Sequence, residues 1–360
     1  TNLAAAALRI MAEFRTSSHG QTATITLTRP RALHALSGDM CTGIAQSLLD
    51  WRDDPAITRV IIEHDAGTRG FCAGGDVANV RSSAMEDSGA AGRAIFMAEY
   101  RLNHLLFTYP KPVITFMDGV TMGGGVGLSL PAAFRIATSN TLFAMPEGAI
   151  GLFPDIGAGW YLPHLPGNLG KFLALTGARL DGAECFWAGL ATHYLPDDQL
   201  EAAKAALRSS GDEPAAILAK FAVDPPEARL AGNADKIARL FAGDTLEAII
   251  ADLAADDGKW AAKELRSVTA KCPTSSKVAL RLFAEAPHVP DFAAEMRREY
   301  AIAANMLVRH DFIEGVRAVL LDKDNTPQWQ PASPEEVTDA MLEAIFADLP
   351  TGEEWTPLTR

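Results

Sequence analysis

Hydrophobic and polar positions in the first half of the chain follow two rhythms. TATITLT (residues 22–28) alternates with period two, which predicts a strand, and the Arg29-Pro30 step ends it. Met40, Ile44 and Leu48 recur at i, i+4 and i+8. That spacing predicts an amphipathic helix, capped by Ser37 and running to about Trp51. TRVIIEH (58–64) reads as a buried strand. After the loop RGFCAGGDV (69–77), residues 78–92 are small and polar and read as a mobile segment. AIFMAEYRLNHLLF (94–107) has helical spacing, and PVITFMDG (112–119) reads as a strand. TMGGGVGLSL (121–130) is a glycine turn opening a short helix, which Pro131 should end or kink. FRIATSN and TLFAMPE are two more short strands.

From about residue 170 Ala, Leu, Lys and Glu dominate with helical periodicity, as in EPAAILAKFA and DFAAEMRREYAIAANMLVRH. The expected organisation is an α/β core over 1–200, bearing the active site, and a mainly helical region over 201–360. The strand–strand–helix texture of the core fits stacked ββα units. The opening TNLAAAALRIMAEF reads as a helical extension, with the remnant of a mitochondrial presequence as the alternative.

Composition narrows the function classes. The 360 residues are 48% hydrophobic and 21% charged, an ordinary globular balance. A formal net charge of -13 argues against nucleic acid as a partner, while a local nest of N–H groups can still hold an anionic ligand. Cys41, Cys72, Cys185 and Cys272 form no CxxC pair, which suits a reducing compartment: the cytoplasm, or the mitochondrial matrix in a eukaryote. No run approaches the ~18 apolar residues of a membrane span.

Several site signatures fail. GLSLP lacks the last glycine of a nucleophile elbow, and GGGVGLSL does not complete G-x-G-x-x-G. No histidine pattern suggests a metal site, and none is expected. The adjacent His310 and Asp311 point apart on a helix and read as surface or capping residues.

Two glycine loops and two acids, Glu147 and Asp155, remain. Each loop follows an apolar strand, and such turns can aim two backbone N–H groups at one oxygen. Asp155, after Pro154, also suits an N-cap.

FCAGGDV, KPVITFMDGVTMGGGVGLSL and LFAMPEGAIGLFPDIGAGWYLPHLPG closely resemble the crotonase (enoyl-CoA hydratase/isomerase) superfamily, and its 3-hydroxyisobutyryl-CoA hydrolase branch in particular. That likeness continues through CPTSSKVALRL and HDFIEGVRAVLLDKDNTPQWQP. It implies a crotonase-like spiral of ββα units with a helical C-terminal region. It also implies an acyl-CoA substrate and no cofactor beyond the CoA that the substrate carries. The oxyanion hole would be the N–H groups of Cys72 and Gly124. Glu147 and Asp155 would be catalytic, Glu99 a further substrate contact, and Arg29, Arg31 and Lys323 candidates for the CoA phosphates. For Glu99 a solvated helix position is the alternative.

Hydratases of the superfamily use a second glutamate where this chain has Gly127. The expected reaction is therefore hydrolysis of a short 3-hydroxyacyl-CoA thioester, most of all 3-hydroxyisobutyryl-CoA. An enoyl-CoA hydratase or isomerase and a non-catalytic acyl-CoA-binding protein are the competing readings. Relatives suggest a trimer or hexamer. His34 stands where many relatives have Asn.

Overall fold

The computed structural model describes the backbone of residues 9 and 10 and all of residues 13–358. A seven-stranded sheet has the order β1-β2-β3-β4-β6-β8-β10. Its strands are β1 (Arg9–Ile10), β2 (Phe14–His19), β3 (Thr22–Leu27), β4 (Arg59–His64), β6 (Val113–Phe116), β8 (Phe134–Ala137) and β10 (His193–Tyr194). A smaller sheet has the order β5-β7-β9, from β5 (Gly70–Cys72), β7 (Val120–Met122) and β9 (Leu142–Ala144). The pairs β1–β2 and β2–β3 are antiparallel and all others parallel. Successive strands thus alternate between sheets: β4, β6 and β8 enter the large one, and β5, β7 and β9 the small one. This is the expected spiral of ββα units.

The helix α1 (Gly38–Arg52) starts where Ser37 accepts the Met40 N–H, as its sequence predicts. It buries Met40, Ile44 and Leu48 against Ile25, Leu27, Val60 and Ile62 of the large sheet. Burying each such side chain contributes about 1.5–3 kcal/mol. The other sheet face, with Ile61, Ile114, Phe116 and Ile136, is covered by Leu200, Ala203 and Leu207 from the helix Leu200–Ser209. All six residues of β3 are therefore buried, although TATITL alternates as a half-exposed strand would. Its threonines are bonded: Thr22 Oγ1 donates to the Leu207 carbonyl and Thr26 Oγ1 to Glu63.

Three expectations are corrected. Residues 78–92 form the helix α2 (Val77–Glu86) and the start of α3 (Ala90–Phe107), not a mobile segment. The polar residues there cap and brace. Asp87 accepts the Ala90 and Ala91 N–H groups, and Ser83 Oγ accepts that of Gly92. In the opening stretch, residues 1–8, 11 and 12 lie outside the described residues, but Arg9–Ile10 is strand and β2 follows at Phe14. The hairpin Phe14–Leu27 supplies backbone partners that outweigh the helical spacing. Asp311 is buried, not a surface residue. Its Oδ1 accepts the Gln330 N–H at 2.7 Å and its Oδ2 the Cys272 S–H at 3.3 Å. His310 does point the other way, to the Gln328 carbonyl.

Helices on both sides of residue 200 share one apolar cluster, running from Phe96, Tyr100 and Phe153 to Phe292, Tyr300 and Trp355. Among the described residues no helix is long and apolar enough to cross a membrane.

Candidate active site

The parallel small sheet assembles the site. Because β5, β7 and β9 lie side by side and point the same way, the segments following them come together. These are Cys72–Gly75, the turn Gly123–Gly124 opening α4 (Gly124–Ser129), and the single helical turn Glu147–Ala149. The carboxyl ends of parallel strands are where such folds place ligands. Leu36 pins the first loop: its N–H donates to Gly74 O, and its carbonyl accepts the Asp76 N–H. The two glycine loops touch, since a Cβ on Gly123 would lie 3.2 Å from the Gly74 Cα.

Two carboxylates reach this cradle from different elements. A Cβ on Gly124 would lie 2.4 Å from Oε1 of Glu99, and one on Gly123 would lie 3.4 Å from Oε1 of Glu147. Glu99 comes from the middle of α3 and is buried, so the solvated-helix alternative falls. Asp155, also buried, sits just before α5 (Ala158–Tyr161). Its side chain accepts the Tyr100 O–H at 2.5 Å and caps no helix; only its carbonyl takes the Ala158 N–H.

Burial sets the acidities. It pushes the Glu99 carboxyl up to about 8, with help from the Asp155 charge. Glu147 is raised well above the ordinary range, first by burial and then by Asp155 and Glu99. Burial raises Asp155 only to about 6, because the Tyr100 hydroxyl and its own backbone N–H oppose the desolvation. At neutral pH the negative charge of this trio therefore rests on Asp155. Glu99 Oε1, Glu147 Oε2 and both amide atoms of Asn103 are buried and bond to nothing in the protein. Such atoms meet a ligand or water.

Gly127 packs tightly against Asn103 and Ile156, and a side chain there would make the Asn103 amide shift. A Cβ there would meet Asn103 Nδ2 at 2.6 Å and Ile156 at 3.1 Å. Cys72 is buried with its thiol directed at Gly74 O and its pKa pushed up to about 12, which makes the thiol inert.

The basic candidates divide. Arg29 is committed within the protein, to Ala35 O, Asp76 and Glu13. Arg31 and Lys323 are exposed. His34 is buried, accepts the Arg29 N–H through Nδ1, and is held near a pKa of about 4 by desolvation and His64. It locks the turn behind the first glycine loop. Among the described residues no cluster of His, Cys, Asp and Glu could hold a metal ion.

Sequence reasoning missed Tyr100, Asn103 and Glu299. The first two share the buried face of α3 with Glu99 at helical spacing, a signal present in AEYRLNHL. Glu299 accepts the N–H groups of Gly157 and Gly159, at 2.7 and 2.9 Å.

The family model described as enoyl-CoA hydratase/isomerase matches residues 22–346. The chain belongs to the enoyl-CoA hydratase/isomerase family. Among curated relatives, the mitochondrial 3-hydroxyisobutyryl-CoA hydrolase of Xenopus laevis is 41% identical over 338 residues, covering 90% of this chain and 86% of that protein. The human enzyme of the same name is 41% identical, covering 92% and 87%. 3-Hydroxyisobutyryl-CoA hydrolase 1 of Arabidopsis thaliana is 39% identical, covering 89% and 88%. Among solved structures, a carnitinyl-CoA dehydratase from Mycobacterium thermoresistibile superposes with a TM-score of 0.90 at 38% identity, covering 96% of this chain and 99% of that one. An enoyl-CoA hydratase from Rhodobacter sphaeroides does so at 0.88 and 34% identity, covering 96% and 100%.

Proposed function

We propose that the protein hydrolyses a short 3-hydroxyacyl-CoA thioester, 3-hydroxyisobutyryl-CoA above all, a step suited to valine breakdown. The observation that carries this reading is the set of acids around the glycine cradle. Glu147, Asp155 and Glu99 are buried together, while Gly127 leaves no carboxylate at the place of a hydratase's second glutamate. Addition of water across a double bond by two glutamates thus lacks one of them. The names of the curated relatives support the same reading. The dehydratase and hydratase titles of the two superposed structures keep hydration as the competing reading.

In this mechanism the thioester oxygen sits between the N–H groups of Cys72 and Gly124. Negative charge builds on that oxygen as the carbon becomes tetrahedral, and each such donor is worth about 3–4 kcal/mol. The Glu147 proton must pass to Asp155, the stronger acid of the two at rest, and that uphill transfer is part of the barrier. The freed Glu147 carboxylate then either bonds to the carbonyl carbon, giving a mixed anhydride that water cleaves, or removes a proton from the attacking water. In both routes the C–S bond breaks, and the CoA thiolate takes its proton from Asp155. Glu99, protonated, can donate to or accept from the 3-hydroxyl. Arg31 and Lys323, both exposed, remain the candidates for the CoA phosphates. No group beyond the substrate's own CoA enters these steps.

The test offers the purified protein 3-hydroxyisobutyryl-CoA and crotonyl-CoA and follows free thiol and the enoyl absorbance. Thiol release from the first alone is expected. Hydration of crotonyl-CoA without thiol release would move the protein to the hydratase reading.

A further inference from the structure

The turn that carries Asp155 is strained and is held from outside. Ile156 has φ +58, a region a β-branched residue rarely enters, and Gly157 follows at φ +91. Strain of this kind persists only where the surroundings over-determine it. Here one buried side chain holds the backbone of the turn directly, beside the Tyr100 hydroxyl on Asp155 and the packing of Phe292 against Gly157. The two oxygens of Glu299 accept the N–H groups of Gly157 and Gly159, at 2.7 and 2.9 Å. Glu299 lies on the helix Phe292–Met306, fully buried and 142 residues downstream of Gly157 in sequence. One turn earlier on that helix, Glu295 is also fully buried, with Arg298 donating to its Oε2 at 2.8 Å. A Cβ on Gly159 would lie 1.9 Å from Oε1 of Glu295. The sequence DIGAG therefore reads as a backbone shaped to receive carboxylates: two N–H groups point at Glu299, and the missing side chain of Gly159 admits Glu295. Burial raises the pKa of both glutamates; the Glu295 charge adds to the rise at Glu299, while Arg298 and a hydrogen bond from Glu299 oppose it at Glu295.

We infer that Glu299 is a positioning residue for the reaction: by clamping Gly157 and Gly159 it fixes the strained 155–159 turn and aims the Asp155 carboxylate at the Tyr100 hydroxyl and the site. Glu299 touches no reacting atom in this account. It acts through Asp155 alone, and the inference rests on the hydrolase reading above. Displacing a catalytic group by about 1 Å costs on the order of 100-fold in rate. Removing both acceptors should therefore lower kcat far more than it raises KM.

The experiment measures kcat and KM for thiol release from 3-hydroxyisobutyryl-CoA, with unfolding midpoints, for wild type, Glu299→Ala, Glu299→Gln, Asp155→Asn and the double variant Glu299→Gln/Asp155→Asn. Gln keeps one acceptor oxygen and Ala none. The expected kcat order is wild type, then Gln, then Ala, with about a 100-fold loss for Ala and KM within about threefold. The folded fraction of the Gln variant should match wild type. Because Glu299 acts through Asp155, adding Glu299→Gln to Asp155→Asn should change kcat less than twofold. A Gln variant with wild-type kcat, or a double variant whose losses multiply, would overturn the positioning role while leaving the hydrolase reading intact. An Asp155→Asn variant with full kcat would instead overturn the reading of the site itself, and the inference with it.

Discussion

Replacing Glu99 with Gln separates the demands of catalysis from those of folding. The Glu99 carboxyl is buried beneath Gly124, one of its oxygens bonds to nothing in the protein, and its pKa rises from 4.5 to about 8. At about 1.4 kcal/mol per pH unit, that favours the neutral acid in the native state by about 5 kcal/mol. The folded pKa lies above the unfolded one, so the native state binds more protons between 4.5 and about 8. Stability is complete below about pH 4.5 and falls as pH rises through 8. Gln imitates the neutral acid at every pH. Part of the 5 kcal/mol is repulsion from Asp155, so the expected gain of Glu99→Gln over wild type is near zero at pH 5 and about 2–4 kcal/mol at pH 8.5. Urea unfolding at both pH values measures this, with the m-value checked for constancy. Activity should fall only modestly in the same variant, because an amide can still hydrogen-bond the substrate hydroxyl but cannot swap which of its two atoms donates. Unfolding curves displaced by the same amount at pH 5 and 8.5 would refute the neutral, buried state of Glu99.

Two further outcomes follow from neighbouring residues. Tyr100→Phe removes the hydroxyl that donates to Asp155. A hydrogen bond to a charged group is worth about 1.5–3 kcal/mol, so the acid limb of the rate profile, expected near the Asp155 value of about 6, should move up by about one to two pH units. A limb that stays in place would show that Asp155 does not govern it. Gly127→Ala should destabilise by about 1–3 kcal/mol, because its Cβ would stand 2.6 Å from Asn103 Nδ2. Unchanged thermal unfolding would mean that the site can accept a side chain there and that a hydratase's second acid is not sterically barred.

The glycine turns and the strands before them are legible from local patterns, and the small parallel sheet joins them. The roles proposed for Glu147 and Asp155 are implied by the resemblance to the crotonase superfamily, not by any period of the chain. Residues whose roles depend on distant packing were not legible. β2 is polar (FRTSSH) and becomes a strand by pairing with β1 and β3. Residues 78–92 look loose because their serines and Asp87 serve as caps. Glu295 and Glu299 look like solvated helix charges until the glycines of a turn 142 residues away meet them. Asp311 appears superficial beside His310, yet it ties Cys272 to the Gln330 backbone. Arg29 shows how a cation in a suggestive place can be spent within the fold, on Glu13 and Asp76.

The central claim is that a carboxylate at residue 147 acts on a thioester carbonyl held in the glycine cradle. The direct measurement is kcat for CoA release from 3-hydroxyisobutyryl-CoA by wild type and Glu147→Gln, both shown to be folded. General acid–base or nucleophilic work by that group predicts a loss of about 10²–10⁴-fold with little change in KM. A Gln variant that releases thiol at the wild-type rate would contradict the account.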